Sequence, residues 1–412
     1  MNQLYRLLLT LLLLAGPSLA FAQLAPIDTA RGRYYQPIFA NVTVTSNVTY
    51  GAATTYTGTT QTLVMDVYQP TGDTVKRRPL IIFAHGGGFV GGAKADAYPV
   101  AFCTRLARLG YVVASIEYRV GFTFTGLAQP IDTPQIATAA VRGGLDMKAA
   151  IRFFRQDAAT AKTYRVYSNY IIAAGSSAGA FAALEAGYLD KASEVPSYVN
   201  LAALGGIEGN SGNPGYSSAV AAVINLSGAT ENPSIIEAGN APLCSAHGTA
   251  DTTVPYAQGK VGFPLPPKYV YGSARLNPRA TALGITNVLR RFSKAGHVPF
   301  ETNSVYADTT FWTVRDFLRP LLRRTGVALA ARAGTAASVI QAYPNPAQEA
   351  VQLALPADWA QLGEAELLDV AGRVVRRFRP QAQNAQLVRG ALPAGLYAVR
   401  FAGQVPVRVV FE

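Results

Sequence analysis

The sequence predicts an α/β fold, a mostly parallel sheet with helices on both faces, followed by a small all-β sandwich. Three observations carry this. Residues 34–69 alternate Thr, Val and Tyr with polar residues, the period-two, β-branched pattern of antiparallel strands. From Pro79 onward, short apolar runs alternate with stretches whose apolar residues recur at i, i+3 and i+4. Such β-α alternation builds a parallel sheet covered on both sides. From Val339 the helical period stops, and short apolar runs broken by Pro, Gly and Asn take over, as in a sandwich.

Each element follows from its stretch. Residues 34–69, ending in "TQTLVMDVYQP", read as two or three antiparallel strands. "PLIIFAHGGG" is a buried strand and "YPVAFCTRLARLG" a helix; "YVVASIEYR" is a strand and "GGLDMKAAIRFFRQDAAT" a helix. "YIIAAGSS" is a strand that runs straight into the helix "AGAFAALEAGYL". "AVAAVINLSG" and "APLCSAHGT" are strands, "TNVLRRFSKAGH" contains the last one, and "TTFWTVRDFLRPLLRRT" is a closing helix. Two connections are long for a compact domain, 119–140 with Phe122 and Phe124, and 191–217, rich in Gly, Asn, Ser and Pro. Loops of that length are expected to act as a lid or pocket wall. Residues 325–338 are a small-residue linker, and 339–412 form the sandwich.

Composition narrows the class. Of the 412 residues half are hydrophobic and 15% charged, a globular balance. The net charge is +12, but the basic residues are scattered, with Lys76-Arg77-Arg78 the longest run. Nucleic-acid binding needs a clustered stripe, so no such partner is expected. Residues 1–22 carry Arg6, a short apolar run and an Ala20-Phe21-Ala22 end, the pattern of a signal peptide cleaved before Gln23; an N-terminal anchor is the alternative. No later stretch has 18 unbroken apolar residues, so no stable span is expected in the mature protein. Cys103 and Cys244 read as two buried free thiols. The Asn-Val-Thr triplets at Asn41 and Asn47 read as strand residues.

The chemistry centres on Gly175-Ser176-Ser177-Ala178-Gly179. In G-x-S-x-G the serine sits on a strained strand-to-helix turn, and glycines flank it because side chains there collide with the neighbouring strand and helix. Ser177 is the nucleophile candidate, and Ser176 fills the variable position. Upstream, "HGGGF" from His85 to Phe89 ends a buried strand. Such glycines leave bare N–H groups for a developing oxyanion. Ala178, the residue after the nucleophile, offers a further N–H. A serine hydroxyl needs an imidazole to take its proton and a carboxylate to fix the tautomer. The chain has three histidines. His85 opens the glycine loop, and His247 opens "HGTAD", four residues before Asp251 on one turn. That leaves His297, in "KAGHVPF", as the base, with Asp251 as the acid that orients it. Asp308 is the rival acid, but it follows His297 in the chain. No His, Cys, Asp and Glu spacing suggests a metal site, and no cofactor is expected.

"HGGGFVGG", "EYR", "GSSAGA" and "HGTADTTVPY" together resemble the blocks of the α/β-hydrolase superfamily, within its esterase/lipase group, over residues 34–324. The resemblance implies an eight-stranded sheet, the chain order Ser177, Asp251, His297, and a two-step acyl-enzyme mechanism. Members differ in which loop glycines face the oxyanion; Gly86 and Gly87 are the first choice here and Gly88 the alternative. Related groups carry Asp or Glu immediately before the serine, where this chain has Ser176. The blocks "YPNPA", "ELLDVAGRVV" and "LPAGLYAVR" resemble the sorting domain of the type IX secretion system. That implies export through the periplasm of a Gram-negative bacterium to the surface or medium, with the secretion machinery as partner. The organisation is then a signal peptide at 1–22, a hydrolase domain at 23–324, a linker at 325–338 and a sorting domain at 339–412.

The leading reading is a secreted serine carboxylic-ester hydrolase acting on acyl or feruloyl esters of polysaccharides, or on small soluble esters. A serine peptidase on the same fold would need anchoring acids for a peptide amino terminus. A non-catalytic binding module would be expected to lack a triad member, and all three candidates are present.

Overall fold

The computed structural model describes residues 27–122, 133–261, 268–322, 341–343, 347–355, 363–369, 373–401 and 407–412. The proposed signal peptide, the linker 325–338 and Phe124 lie outside them. The chain divides into two compact units, residues 1–331 and 332–412.

The first unit opens with β1 (Val42–Thr54) and β2 (Thr60–Pro70), which pair antiparallel. They are the two strands of the alternating 34–69 region; Asn47 lies within β1 at one of its register shifts, with positive φ. Then come β3 (Arg78–Ala84), α1 (Ala97–Arg108), β4 (Val112–Ile116), α2 (Thr133–Ala159), β5 (Val166–Ser176), α3 (Ala178–Tyr188) and β6 (Ala222–Leu226). A short β7 (Ala229–Thr230) precedes β8 (Leu243–Gly248), β9 (Gln258–Val261), β10 (Lys268–Gly272) and α4 (Ser273–Ala282). The unit closes with β11 (Asn287–Phe292), α5 (Pro299–Thr302) and α6 (Ser304–Leu322). Eight strands form one sheet in the order β1-β2-β4-β3-β5-β6-β8-β11. From β4 through β11 every neighbouring pair is parallel. The eight-stranded sheet implied by the resemblance is present.

Strand periodicity divides the core in two. Leu80, Ile82 and Ala84 join Leu145, Ala149 and Leu184 in one cluster, while Ile81 and Phe83 join Phe102, Leu106, Val314 and Phe317 in another. Alternate residues of β3 face opposite sides, so α2 and α3 cover one face and α1 and α6 the other. Two details differ from the sequence reading. The connection expected at 119–140 ends earlier, because 133–140 already belong to α2, and the closing helix begins at Ser304 rather than Thr309. The small antiparallel sheet β7-β10-β9 was not anticipated; strands of two to five residues carry too little period to read.

The long 191–217 connection is held by the basic residues of α2. Lys148 donates to the carbonyls of Leu189 and Ile207, Arg152 to those of Glu208 and Gly212, and Arg155 to those of Ser217 and Ala219. These side chains satisfy carbonyls that irregular backbone leaves unpaired.

In the second unit, β12 (Gln341–Tyr343), β13 (Ala350–Ala354) and β16 (Asn384–Val388) form one sheet. The other contains β14 (Ala365–Leu368), β15 (Val374–Phe378), β17 (Gly395–Phe401) and β18 (Val407–Phe411). Val351, Leu353 and Leu387 from the first sheet and Leu367, Val399 and Phe401 from the second share one apolar cluster, the arrangement of a sandwich. Cys103 and Cys244 are free and buried. Burial pushes the Cys244 thiol up to about 12, against the nearby Arg290 charge, which leaves it inert.

Candidate active site

β5 runs into α3 without a loop, and Ser177 takes the turn at φ 51°, ψ −120°, a conformation that is costly for a residue with a Cβ. The flanking glycines are forced. A Cβ on Gly175 would lie 2.1 Å from the carbonyl oxygen of Gly179, and one on Gly179 would lie 2.1 Å from that of Ala84 in β3. The amide of Ser177 is tied to the carbonyl of Leu226 in β6 (2.9 Å). The turn therefore lifts the Ser177 hydroxyl off the end of the sheet.

Asp251 and His297 sit on loops after the adjacent parallel strands β8 and β11, whose register runs from Leu243 opposite Asn287 to Gly248 opposite Phe292. The two loops are laced together by Thr249 N–H to Phe292, Ala250 N–H to Ala295 and Lys294 N–H to the Thr249 hydroxyl. The approach is close enough that a Cβ on Gly248 would meet the Gly296 carbonyl oxygen at 2.1 Å. His297 Nε2 lies 2.8 Å from Ser177 Oγ, and its Nδ1 lies 2.7 Å from Asp251 Oδ2. An ionised carboxylate only accepts. Nδ1 therefore carries the proton, and the Nε2 lone pair faces the serine.

Asp251 is itself held. Its Oδ1 accepts from the amides of Thr253 and Val254, both at 2.9 Å. His247 Nε2 lies 3.2 Å from its Oδ2 and 3.0 Å from the Val254 carbonyl, so Nε2 is the protonated nitrogen, while Nδ1 faces the Ser273 hydroxyl at 2.9 Å. Burial works to raise the pKa of Asp251. The hydrogen bonds of His247 and His297, the His297 charge and the Val254 amide outweigh it and hold the carboxyl well below the usual range. Sequence reasoning had set His247 aside; the H-x-x-x-D spacing that puts both on one turn was the available signal. Asp308 instead pairs with Arg105 at 2.8 Å.

A second missed contact touches Ser176, whose hydroxyl donates to the carboxylate of Glu301. Burial, helped by the Asp96 charge and only partly opposed by Ser176 and the His297 charge, raises the pKa of Glu301. Only the fold brings α5 to the elbow, and no local pattern marks Glu301.

The glycine loop passes over Ser177, with the Cβ position of Gly86 at 3.3 Å from Ser177 Cβ. His85 fixes the loop's start: Nδ1 lies 2.7 Å from the Gly86 carbonyl, Nε2 lies 3.2 Å from Glu117, and the ring stacks on Tyr118. Gly87 and Gly88 both have positive φ (112° and 62°). Among the described residues, the amides of Gly86, Gly87, Gly88 and Ala178 have no hydrogen-bond acceptor. Gly88 and Ala178 line, with Ser177, a cavity of about 340 Å³.

The BD-FAE family model matches residues 65–235, which include the glycine loop and the Ser177 elbow but stop before Asp251 and His297. Over that stretch the chain carries an esterase-type α/β-hydrolase domain. Residues 341–407 match the secretion system C-terminal sorting domain, so this esterase carries a sorting domain after its hydrolase unit. Its fold is similar to that of esterase 2 from Thermogutta terrifontis phosphorylated by paraoxon, with 22% identity, a TM-score of 0.46, and coverage of 69% of this chain and 95% of that one. The propionate-bound form of that esterase shows 23% identity and a TM-score of 0.44, over 63% of this chain and 90% of the other. Likeness at this level concerns the fold alone. No curated protein matches the chain in sequence.

Proposed function

We propose that this esterase is a secreted serine carboxylic-ester hydrolase with Ser177 as nucleophile, His297 as base and Asp251 as the group that orients the base. The observation that carries this reading is the continuous hydrogen-bonded series Ser177 Oγ, His297, Asp251, at 2.8 and 2.7 Å. Ser177 Oγ attacks the ester carbonyl carbon as its proton passes to His297 Nε2, and the carbonyl π pair moves onto oxygen. That oxyanion is met by the amides of Ala178 and of the glycine loop, Gly86 and Gly87 first, with Gly88 a candidate because it lines the same cavity. Collapse expels the alcohol, which takes the Nε2 proton. Water then repeats the cycle on the acyl-enzyme and releases the acid. Candidate substrates are acyl or feruloyl esters on polysaccharide, or small soluble esters.

Residues 1–22 would be removed on export, 23–324 would carry catalysis, 325–338 would link, and 339–412 would address the protein through the periplasm to the cell surface or medium. Among the described residues no helix is long and apolar enough to cross a membrane.

The test is a fluorophosphonate label, expected on Ser177, together with hydrolysis of p-nitrophenyl acetate, an acetylated sugar and an aminoacyl-anilide. Cleavage of the anilide alone would replace the esterase assignment with a peptidase. Chain truncated after residue 330 should hydrolyse p-nitrophenyl acetate but stay out of the medium; the truncated protein's appearance there would refute the sorting role.

A further inference from the structure

The cavity beside Ser177 has apolar walls, formed in part by Phe89, Phe122, Ile136, Phe181 and Val270. One feature of its lining contradicts that character. Ser177, Phe181, Glu185 and Leu189 all line it, at the four-residue spacing that keeps side chains on one helical face. Glu185 is therefore set eight residues along α3 from Ser177, about 12 Å of helix, as a carboxyl deep in an apolar chamber.

Nothing in the fold requires an acid there. Glu185 is only 8% exposed, and its side-chain partner among the described residues is the Thr230 hydroxyl at 3.5 Å, the outer limit of a hydrogen bond. A carboxylate has about four acceptor sites, and a buried one without partners is costly. Lys148, whose charge acts on Glu185, directs its Nζ to the carbonyls of Leu189 and Ile207, and among the described residues it forms no ion pair with Glu185. Burial, partly offset by Lys148, raises the Glu185 carboxyl to about 7. In either protonation state it keeps an oxygen that accepts. The other charged residues of the lining are Glu194 and Glu231, and no Lys or Arg is among the described residues that line it. An anionic group entering the cavity would be repelled.

Resting on the esterase reading, we propose that the cavity takes a substrate group with a hydrogen-bond donor, a hydroxyl or an ammonium, at its far end, and that Glu185 with Thr230 selects it. An apolar stem of several atoms packs on the phenylalanines while the terminal donor satisfies the carboxyl. A site with a buried acceptor discriminates strongly against an analogue that lacks the donor, because the acceptor is then left unpaired.

The test compares kcat/KM for six- and eight-carbon p-nitrophenyl esters ending in methyl, hydroxyl, ammonium or carboxylate. A second series places the same end groups on the alcohol half of acetate esters, since either half can occupy the cavity. In one series the donor-ended esters should exceed the methyl-ended ones by about tenfold or more, with the carboxylate-ended ester slowest. In Glu185→Leu the ratio of donor-ended to methyl-ended turnover should fall to about one. Thr230→Val should lower it less, and it serves alone if the leucine variant does not fold. Equal turnover of methyl- and donor-ended esters in both series overturns the proposal, as does a preference that survives Glu185→Leu. Wild-type protein inactive even on p-nitrophenyl acetate would instead sink the esterase reading.

Discussion

In the hydrolase unit, Arg119 is buried and donates to both oxygens of buried Asp146 at 2.7–3.0 Å; Ser211 joins the same carboxylate, and Arg119 also reaches the carbonyl of Thr54. In the sorting domain, Glu366 meets Arg377 and Arg400 on an open face, and among the described residues no charged or polar residue other than Tyr397 joins the shared core. Every buried polar or charged residue among the described residues belongs to the hydrolase unit. A sandwich needs only alternation to bury its core. The hydrolase unit must also hold long loops and three catalytic candidates in one geometry, and buried charges do this despite the cost of desolvating them. Stability and positioning are thus separate tasks here, carried by different kinds of contact.

That contrast can be broken or sharpened experimentally. The largest effect is expected from Ser177→Ala, which should lower kcat by on the order of 10⁴ to 10⁶ while leaving melting temperature close to wild type. Ser176→Ala should cost far less, and equal losses would move the nucleophile. Asp251→Asn should lower kcat by up to about 10⁴, since the wrong His297 tautomer is then favoured. Asp308→Asn should change steady-state rates little, and the reverse pattern would reassign the acid.

Next come changes in stability confined to one unit. Gly179→Ala puts a Cβ on the Ala84 carbonyl and should destabilise the hydrolase unit by more than about 3 kcal/mol, read as a shifted calorimetric transition. Leu353→Ala empties part of the sandwich core and should cost that unit about 2–5 kcal/mol, with p-nitrophenyl acetate hydrolysis unaffected. Loss of hydrolysis in this variant would mean that the units depend on each other.

The last effects concern pH. Glu185 binds its proton more tightly when folded, near 7, than unfolded, near about 4.3. Its contribution is complete below the unfolded value and is lost as pH rises through 7, a change on the order of 4 kcal/mol. Asp251 has the opposite sign, because its folded pKa is depressed. Its contribution is present above about 3.9 and is lost as pH falls below that value. The hydrolase unit should therefore lose stability towards both ends, and Glu185→Gln should flatten the fall in its melting temperature between about pH 5 and 8. An unchanged slope would place the Glu185 pKa near its ordinary value. Glu366→Gln, on the exposed face of the sorting domain, should leave melting unchanged.

Much of the site was legible because its parts are local. The elbow is five consecutive residues under a steric demand, and "HGGGF" and "HGTAD" each sit at a strand end where an apolar run stops. Glu301 was not legible, since Ser176 and Glu301 are separated by 125 positions and touch only because α5 folds back over the elbow. Glu185 lies inside the helix stretch "AGAFAALEAGYL"; its spacing from Ser177 was visible, but the cavity beneath it was not. The 133–140 segment was misplaced as loop because small residues there weaken the helical period.

By itself, the sequence marked the candidate residues for chemistry and the elements that present them, because turn sterics and strand or helix periodicity act over a few neighbouring residues. Tertiary structure alone decided what surrounds them. The meeting of Asp251 with His297 depends on the parallel register of β8 and β11, and the chamber around Glu185 on the packing of α2, α3 and β10. Parallel strands are joined by long crossovers, so these contacts lie between residues far apart in sequence. Local pattern holds no information about them until the sheet is assembled.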